Sequence, residues 1–307
     1  MSVLSSLLGD LFSRNSPLGA SHHSSSSAEK IVEFGREMLT AGDISGAESM
    51  CLKALTLVPE HEPARQLQID IEFVQCLATV DHRFPGPHYL DWLAWFHQTL
   101  APESYLEIGV ESGQSLQFAA APTRTVGVDP EIRIVYPQKN WVKLFKLTSD
   151  QFFATQDIQQ VFGLETIRLS FIDGLHTFDQ ALKDFINVER FSNAASVVLF
   201  HDIFPVVPAT AQRDRITKFW VGDTWKVMWI LLKYRPELNI FTIPSGPSGL
   251  GVITGLNPHS DVLQSGFDRI CREAMALDLE SFIADMGTFL HVVENDFEGV
   301  ANRLANI

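Results

Sequence analysis

Seven short runs of apolar and β-branched residues, at 105–110, 125–129, 142–147, 167–173, 196–202, 239–244 and 249–255, limit what this chain can fold into. Helical patterns fall between most of them, notably at 177–190 and 224–234. Strands that alternate with helices specify a mostly parallel, doubly wound sheet. The last two runs are separated only by Ser245-Gly246-Pro247-Ser248. That is too short for a crossover helix, so these two strands are predicted to form an antiparallel hairpin. The expected fold class is therefore α/β: a doubly wound, seven-stranded, mostly parallel sheet with a small N-terminal helical region and C-terminal helices.

A length of 307 residues allows one large α/β domain and a smaller appendage. The expected boundaries are a flexible N-terminus at 1–27, a helical region at 28–80, the sheet domain at 81–256 and a helical extension at 257–307. Val3, Leu4, Leu7, Leu8, Leu11 and Phe12 share one helical face, interrupted by Asp10 and with no basic segment ahead of it. A short docking helix or frayed tail fits that pattern better than a secretory signal. Residues 13–27 have the Ser, His, Asn, Gly and Pro content of a linker.

Next comes an apolar stripe of Ile31, Phe34, Met38 and Leu39, then a Gly42-Asp43 turn. A second stripe of Ala47, Met50, Cys51, Ala54 and Leu55 ends near Pro59, and a helix is expected from 63 to 73. The turn, the small residue early in the second helix and the terminal proline resemble one tetratricopeptide repeat. A solenoid needs about three repeats to stand alone, so these helices are expected to pack on the main domain or on a second copy. A homodimer, and a protein partner bound through the N-terminal helices, follow as expectations. Residues 81–87 break the helix, and 89–100 form an amphipathic aromatic helix. Helices at 262–275, 279–286 and 289–304 are expected to form a cap or an oligomer surface.

Hydrophobic residues make up 46% of the chain and charged residues 20%, as in ordinary globular proteins. The formal charge of −14 argues against a nucleic-acid substrate, which needs clustered Lys and Arg, and against anionic membranes. No apolar run approaches the roughly 18 residues of a membrane span. Cys51, Cys76 and Cys271 show no C-x-x-C spacing, so neither a zinc knuckle nor a disulfide framework is indicated. A cytoplasmic protein is expected.

The most informative local sequence is Tyr105-Leu106-Glu107-Ile108-Gly109-Val110-Glu111-Ser112-Gly113. An apolar strand is followed by two glycines, where backbone can pass close to a ligand because no Cβ obstructs it, and then by a helical segment. The pattern is not the G-x-G-x-x-G of dinucleotide sites. Its form, E-x-G-x-x-x-G, resembles motif I of the class I S-adenosylmethionine (SAM) methyltransferases. That resemblance implies a Rossmann-like methyltransferase fold, SAM as methyl donor, and Glu107, Gly109, Gly113 and Ser115 in the donor site.

Ligands of open α/β sheets bind at the carboxyl ends of the strands, where strand order reverses. Strand two ends in Asp129, 22 residues after Glu107, where a carboxylate can accept from ribose hydroxyls. A turn or cap role is the competing reading. Strand three ends in Thr148-Ser149-Asp150. Asp150 can accept from the adenine amino group, while helix capping explains Ser149 and Asp150 as well.

Strand four ends in Asp173-Gly174-Leu175-His176 and strand five in His201-Asp202. Two carboxylates that close repel each other, and a divalent cation removes the penalty. I-D-G-x-H-x-F followed by V-V-L-F-H-D resembles the methyltransferases grouped with the cephalosporin and macrolide-sugar O-methylating enzymes. By that resemblance Asp173 and Asp202 are metal ligands, Mg²⁺ or Mn²⁺ is the ion, and His176 is the general base. Where those enzymes carry two acidic residues, this chain has His201-Asp202. Nitrogen in the ligand set favours a softer ion such as Mn²⁺ or Fe²⁺, or a metal-free site in which His201 is the base.

The segment 203–226 is expected to cover the site. Its Arg213, Asp214, Arg215, Trp220, Asp223 and Trp225 are read either as a grip on a carboxylate or sugar, or as surface pairs and core aromatics. The expected activity is O-methylation of a hydroxyl or carboxyl on a small molecule, such as a sugar or secondary metabolite. A catalytically idle SAM-fold protein acting through its N-terminal helices is the alternative.

Overall fold

A computed structural model describes residues 24–305. The expected docking helix at 1–12 and most of the linker lie outside them, while residues 24–27 already belong to the first helix. The described residues divide into two compact units, 24–82 with 217–219, and 83–216 with 220–305. Among the described residues no helix is long and apolar enough to cross a membrane.

The smaller unit is built from helices α1 (Ser24–Thr40), α2 (Ile44–Leu57) and α3 (Glu62–Arg83). Its core is Ala28, Val32, Leu39, Ala47, Cys51, Ala54, Leu67, Ile71 and Val74. Small residues at 28, 47, 54 and 64 let the helices approach closely. In α1 the buried face runs through Val32 and Leu39, and Phe34 of the expected stripe is 49% exposed. Asp43 caps α2 by accepting from Gly46 N–H at 2.9 Å. The third helix continues well past the expected residue 73, because no proline or glycine occurs between Pro63 and Pro85, and Val74 and Val80 are both buried along it. Within this unit Lys218 pairs with the buried Asp70 at 3.2 Å, and Phe219 meets the Phe73 ring edge-on.

The larger unit contains a seven-stranded sheet. Its strands are β1 (Ser104–Ile108), β2 (Arg124–Val128), β3 (Val142–Phe145), β4 (Leu169–Ile172), β5 (Val197–Phe200), β6 (Asn239–Ile243) and β7 (Leu250–Thr254). Their order is β3-β2-β1-β4-β5-β7-β6, all parallel except β7, which pairs antiparallel with both β5 and β6. The expected hairpin is present. Strands β1, β4, β5 and β7 are buried along their whole length, as a sheet covered on both faces requires.

Helix α4 (Tyr89–Leu100) lays Trp92, Leu93 and Phe96 on the face formed by Tyr105, Leu169, Phe171, Leu199, Phe241 and Val252. The helices that follow β3 are α5 (Ser149–Thr155) and α6 (Ile158–Phe162), and the pair flanking β5 and β6 is α7 (Phe178–Glu189) and α8 (Lys226–Tyr234). On the other face Phe185 of α7 lies 6.1 Å from Phe200, and Met228 of α8 fills the space above Gly251.

Two expectations change. The glycine loop leads not into a helix but into a single 3₁₀ turn at Leu116–Phe118. The carbonyls that would begin a helix are engaged elsewhere: Arg133 N–H binds Glu111 O at 2.8 Å and Val135 N–H binds Ser112 O at 2.9 Å. The C-terminal segment is also more broken than expected. It comprises α9 (Val262–Ser265), α10 (Phe267–Met275), α11 (Leu279–Ala284), α12 (Met286–Leu290) and α13 (Phe297–Ala305). Ile270, Ala274, Phe282, Leu290 and Val300 are buried within the unit itself. The segment thus buries part of its apolar surface, while Val262 and Met275 stay exposed.

The sheet's order reverses at β1, whose neighbours are β2 and β4. There Asp173 N–H donates to Ile108 O at 2.8 Å. Gly109, at φ +90°, lies so close to the Asp173 carbonyl that a Cβ would overlap it. Gly42 has a similar φ of +83° but open space around it. Gly42→Ala should therefore cost only the left-handed strain, about 1 kcal/mol. Gly109→Ala adds a backbone clash and should cost several times as much, about 3 kcal/mol or more. Urea unfolding of the two variants measures the difference; equal losses would show that the approach of β1 to β4 is loose.

Candidate active site at the strand ends

Glu107 lies below the glycine loop, wholly buried. Tyr105 Oη and Ser115 Oγ each lie 2.6 Å from its carboxyl oxygens, so Glu107 ties the start of the 3₁₀ turn back to β1. Burial raises its pKa to about 8. Without an exposed atom, Glu107 shapes the loop from beneath. Gly113, at φ +78°, faces Ile134 and Gln138.

Asp129 spans the loop from the end of β2. Its Oδ2 accepts from Val110 and Glu111 N–H at 2.9 Å, and its Oδ1 accepts from Glu131 N–H at 2.6 Å. A carboxylate has about four acceptor positions, so three are filled and one remains for a ligand hydroxyl. At the end of β3 the helix cap is Thr148, in a capping box with Gln151, and neither Ser149 nor Asp150. Ser149 is buried and Asp150 exposed. Gln180 Nε2 reaches Ser149 Oγ, Asp150 Oδ1 and Asp184 Oδ1 at 3.2, 3.1 and 3.0 Å. Burial raises Asp184 to about 6.

The ends of β4 and β5 bring Asp173, His176, His201 and Asp202 together. His201 Nδ1 is 3.2 Å from Asp173 Oδ1 and 3.5 Å from Asp202 Oδ1. His176 Nε2 is 3.1 Å from Asp202 Oδ2 and 3.5 Å from Asp173 Oδ1. Asp202 takes a left-handed φ of +58°, uncommon for a side-chain-bearing residue, and turns the chain back so that Ile203 and Phe204 N–H both donate to Ser248 O.

Charges dominate this corner. Burial alone would lower His176, but the Asp202 and Asp173 carboxylates outweigh it and raise it to about 9. His201 is likewise raised against its burial by Asp173 and Asp202. Burial pushes the Asp173 carboxyl up, yet the two imidazoles hold it well below the usual carboxylate range. The carboxylates and imidazoles of this corner therefore stabilise one another's charged forms.

Asp173, His201 and Asp202 also present one donor atom each within 4.8 Å of one another, a spacing suited to a shared cation. The donors are two carboxylate oxygens and one imidazole nitrogen, a set that accommodates Mn²⁺ or Fe²⁺ and also Mg²⁺. The far nitrogen of His201 has its own partner, Ser248 Oγ at 3.3 Å, and that hydroxyl donates to Asp202 Oδ1 at 2.5 Å. With Nε2–H on Ser248, Nδ1 is left to face an ion, so the residues fit one.

The sequence singled out neither Ser248 nor Tyr89 as a contributor to this corner, and Trp220 only as part of the covering segment. Ser248 lies in the short turn between β6 and β7. Tyr89, whose ring is 4.2 Å from His201, comes from the start of α4. Trp220 stacks on His176 at 5.2 Å, and its carbonyl oxygen accepts from His176 Nδ1 at 2.8 Å. The expected substrate grip is otherwise engaged. Arg213 pairs with Asp179 at 2.8 Å and Asp223 at 3.3 Å, and Trp225 is buried against Phe282.

Residues 106–203 match the family model described as a methyltransferase domain. Among solved structures the chain is similar to the SAH-bound methyltransferase PaMTH1 of Podospora anserina, with 16% identity over 60% of this chain and 87% of that one and a TM-score of 0.40. It is also similar to the O-methyltransferase TomG of Streptomyces achromogenes in complex with SAM, with 14% identity, coverage of 60% and 89%, and a TM-score of 0.42. An O-methyltransferase from Bacillus cereus in complex with SAH covers 82% of this chain and 96% of its own at 11% identity and a TM-score of 0.38. TM-scores of this size carry no weight beside the domain match. No curated protein matches the chain.

Glu107 makes stability depend on pH in a defined direction. Its folded pKa of about 8 lies above the ordinary 4.5, so the folded chain holds a proton that the unfolded chain releases. That contribution is complete below the ordinary value and is lost as pH rises toward the folded one. Glu107→Gln should flatten this part of the profile in thermal unfolding followed by circular dichroism. Parallel profiles for the two proteins would mean that the carboxyl is already ionised when folded.

Proposed function

From a methyltransferase domain at residues 106–203, we propose that this chain transfers the methyl group of SAM to a hydroxyl oxygen of a small molecule. The observation that carries the reading is the convergence of His176 Nε2 with Asp173 and Asp202 beside the Gly109 loop, where the strand order reverses. Glu107, Gly109, Gly113 and Ser115 form the donor loop, and Asp129 offers its remaining acceptor position to a ribose hydroxyl. Ser149 and Asp150 border the adenine end.

Bound SAM supplies an electrophilic methyl on a sulfonium. In its neutral form His176, with Nδ1–H committed to Trp220 O, presents Nε2 to the acceptor hydroxyl and takes its proton. As the O–C bond forms, the C–S bond breaks and its electron pair stays on sulfur. The products are a methyl ether, S-adenosylhomocysteine (SAH) and the His176 imidazolium. Asp173, His201 and Asp202 are the residues that would hold a divalent cation. Such an ion would lower the pKa of a hydroxyl bound to it and replace the positive charge that the imidazoles otherwise carry. Ser248 keeps His201 and Asp202 in register, and Tyr89 and Trp220 wall the corner with aromatic surface. Much of the acceleration is positional, because an in-line displacement demands alignment. We also assign the boundaries of the catalytic domain to about 81–256, with the N-terminal helices as a separate module.

Calorimetric titration of chelator-treated protein with SAH should give micromolar binding, weakened at least about tenfold in Asp129→Ala by loss of a charge-assisted hydrogen bond. Absence of any SAH binding would rule out methyl transfer. Titration with Mn²⁺ alone, followed by electron paramagnetic resonance, should show a site that is abolished in Asp202→Ala. In Ser248→Ala it should be weakened roughly 10–100-fold, as expected when an outer partner of a ligand is lost. Unchanged Mn²⁺ binding in Asp202→Ala would assign the corner to metal-free, histidine-based chemistry.

A further inference from the structure

The segment that follows β5 holds the loop carrying His176 at several points. Trp220 O accepts from His176 Nδ1 at 2.8 Å. A carbonyl oxygen only accepts, so Nδ1 must carry the hydrogen and Nε2 must be the atom turned to Asp173 and Asp202. Gly222, at φ +61°, runs so close to the His176 carbonyl that any Cβ would overlap it. Asp223 N–H donates to that same carbonyl at 3.2 Å. The Asp223 carboxylate then accepts from Phe178 N–H at 3.0 Å, at the first turn of α7, whose own N-cap residue Thr177 makes no side-chain cap bond.

Asp223 is itself held on its far side. Its Oδ2 faces Arg213 at 3.3 Å and Lys226 at 3.5 Å, and Arg213 continues to Asp179 at 2.8 Å on the same first turn. Arg213 and Lys226 both lie over the Phe178 ring. Asp223 is 3% exposed, so a carboxyl group buried there relies on these partners. Backbone on one side of His176 and a side chain on the other thus fix both ends of the stretch from His176 to Phe178.

Resting on His176 as the proton acceptor, we propose that Asp223 is a positioning residue for it. The segment from Trp220 to Lys226 is a clamp that sets which ring nitrogen faces the reacting hydroxyl. Asp223 touches neither the carboxylates of the corner nor its imidazole rings. It acts by holding the main chain on which His176 is mounted, and so determines whether the Trp220 carbonyl stays opposite Nδ1.

The test uses full-length protein labelled with ¹⁵N-histidine. The wild type should show an imidazole Nδ1–H proton protected from solvent exchange, assigned to His176 by its disappearance in His176→Gln. Asp223→Asn keeps an acceptor for Phe178 N–H but loses its grip on Arg213 and Lys226. It should speed that exchange about tenfold, the effect of one charge-assisted hydrogen bond, while SAH binding stays near the wild-type value. Arg213→Gln, at a half-exposed residue, should give a smaller acceleration in the same direction. Wild-type exchange rates in both folded variants would overturn the clamp. A protected proton in a protein that does not bind SAH would instead overturn the methyl-transfer reading while leaving the clamp in place.

Discussion

The approach of β1 to β4 at Gly109 and Asp173 is the constraint on which the rest of the site depends. Parallel strands place their carboxyl ends on one side of the sheet, and order reversal at β1 opens a crevice there. The Asp173 amide is pinned to Ile108 O, and the missing Cβ of Gly109 admits the Asp173 carbonyl. Gly109, which follows β1, and Asp173, the first acid of the histidine–aspartate corner, are thereby in contact. Register then does the remainder: Ile172 pairs with Phe200, so His201 and Asp202 emerge beside Asp173.

A second constraint is charge. Two carboxylates at one buried corner are unfavourable unless something positive lies between them. Here His176 and His201 fill that role, which explains why both rings are raised while Asp173 is lowered. The imidazoles supply counter-charge here, and under the proposed function a cation would take over that role. Ser248 and Trp220 decide how each ring is oriented for that exchange, through the nitrogen that each one occupies.

The strands and their chemistry-bearing ends were readable because apolar runs and strand-end residues are local signals. Asp129, Asp173, His176, His201 and Asp202 all lie within two residues of an expected strand end or on the loop that follows it. The missing helix after Gly113 was not readable, since it depends on Glu111 and Ser112 carbonyls being taken by residues 133–135. Nor was the role of Glu107, whose position beneath the loop looks the same in sequence whether it faces a ligand or Tyr105 and Ser115. Arg213 next to tryptophans suggested a ligand grip, but its two carboxylate partners lie 34 residues before it and 10 residues after it.

Sequence by itself determined the architecture. Alternating strand and helix periods leave few alternatives to a doubly wound sheet, and a four-residue turn compels the final strand to run backwards. It also determined which residue types reach the strand ends, because each is one or two positions beyond an apolar run. Tertiary structure alone decided which atoms of those residues are available. Asp129 retains a single open acceptor position, Glu107 is sealed by burial beneath the loop, and Nε2 of His176 is the nitrogen that faces Asp173 and Asp202. Those outcomes follow from hydrogen bonds and steric contacts between segments far apart in the chain, which no local pattern of residues encodes.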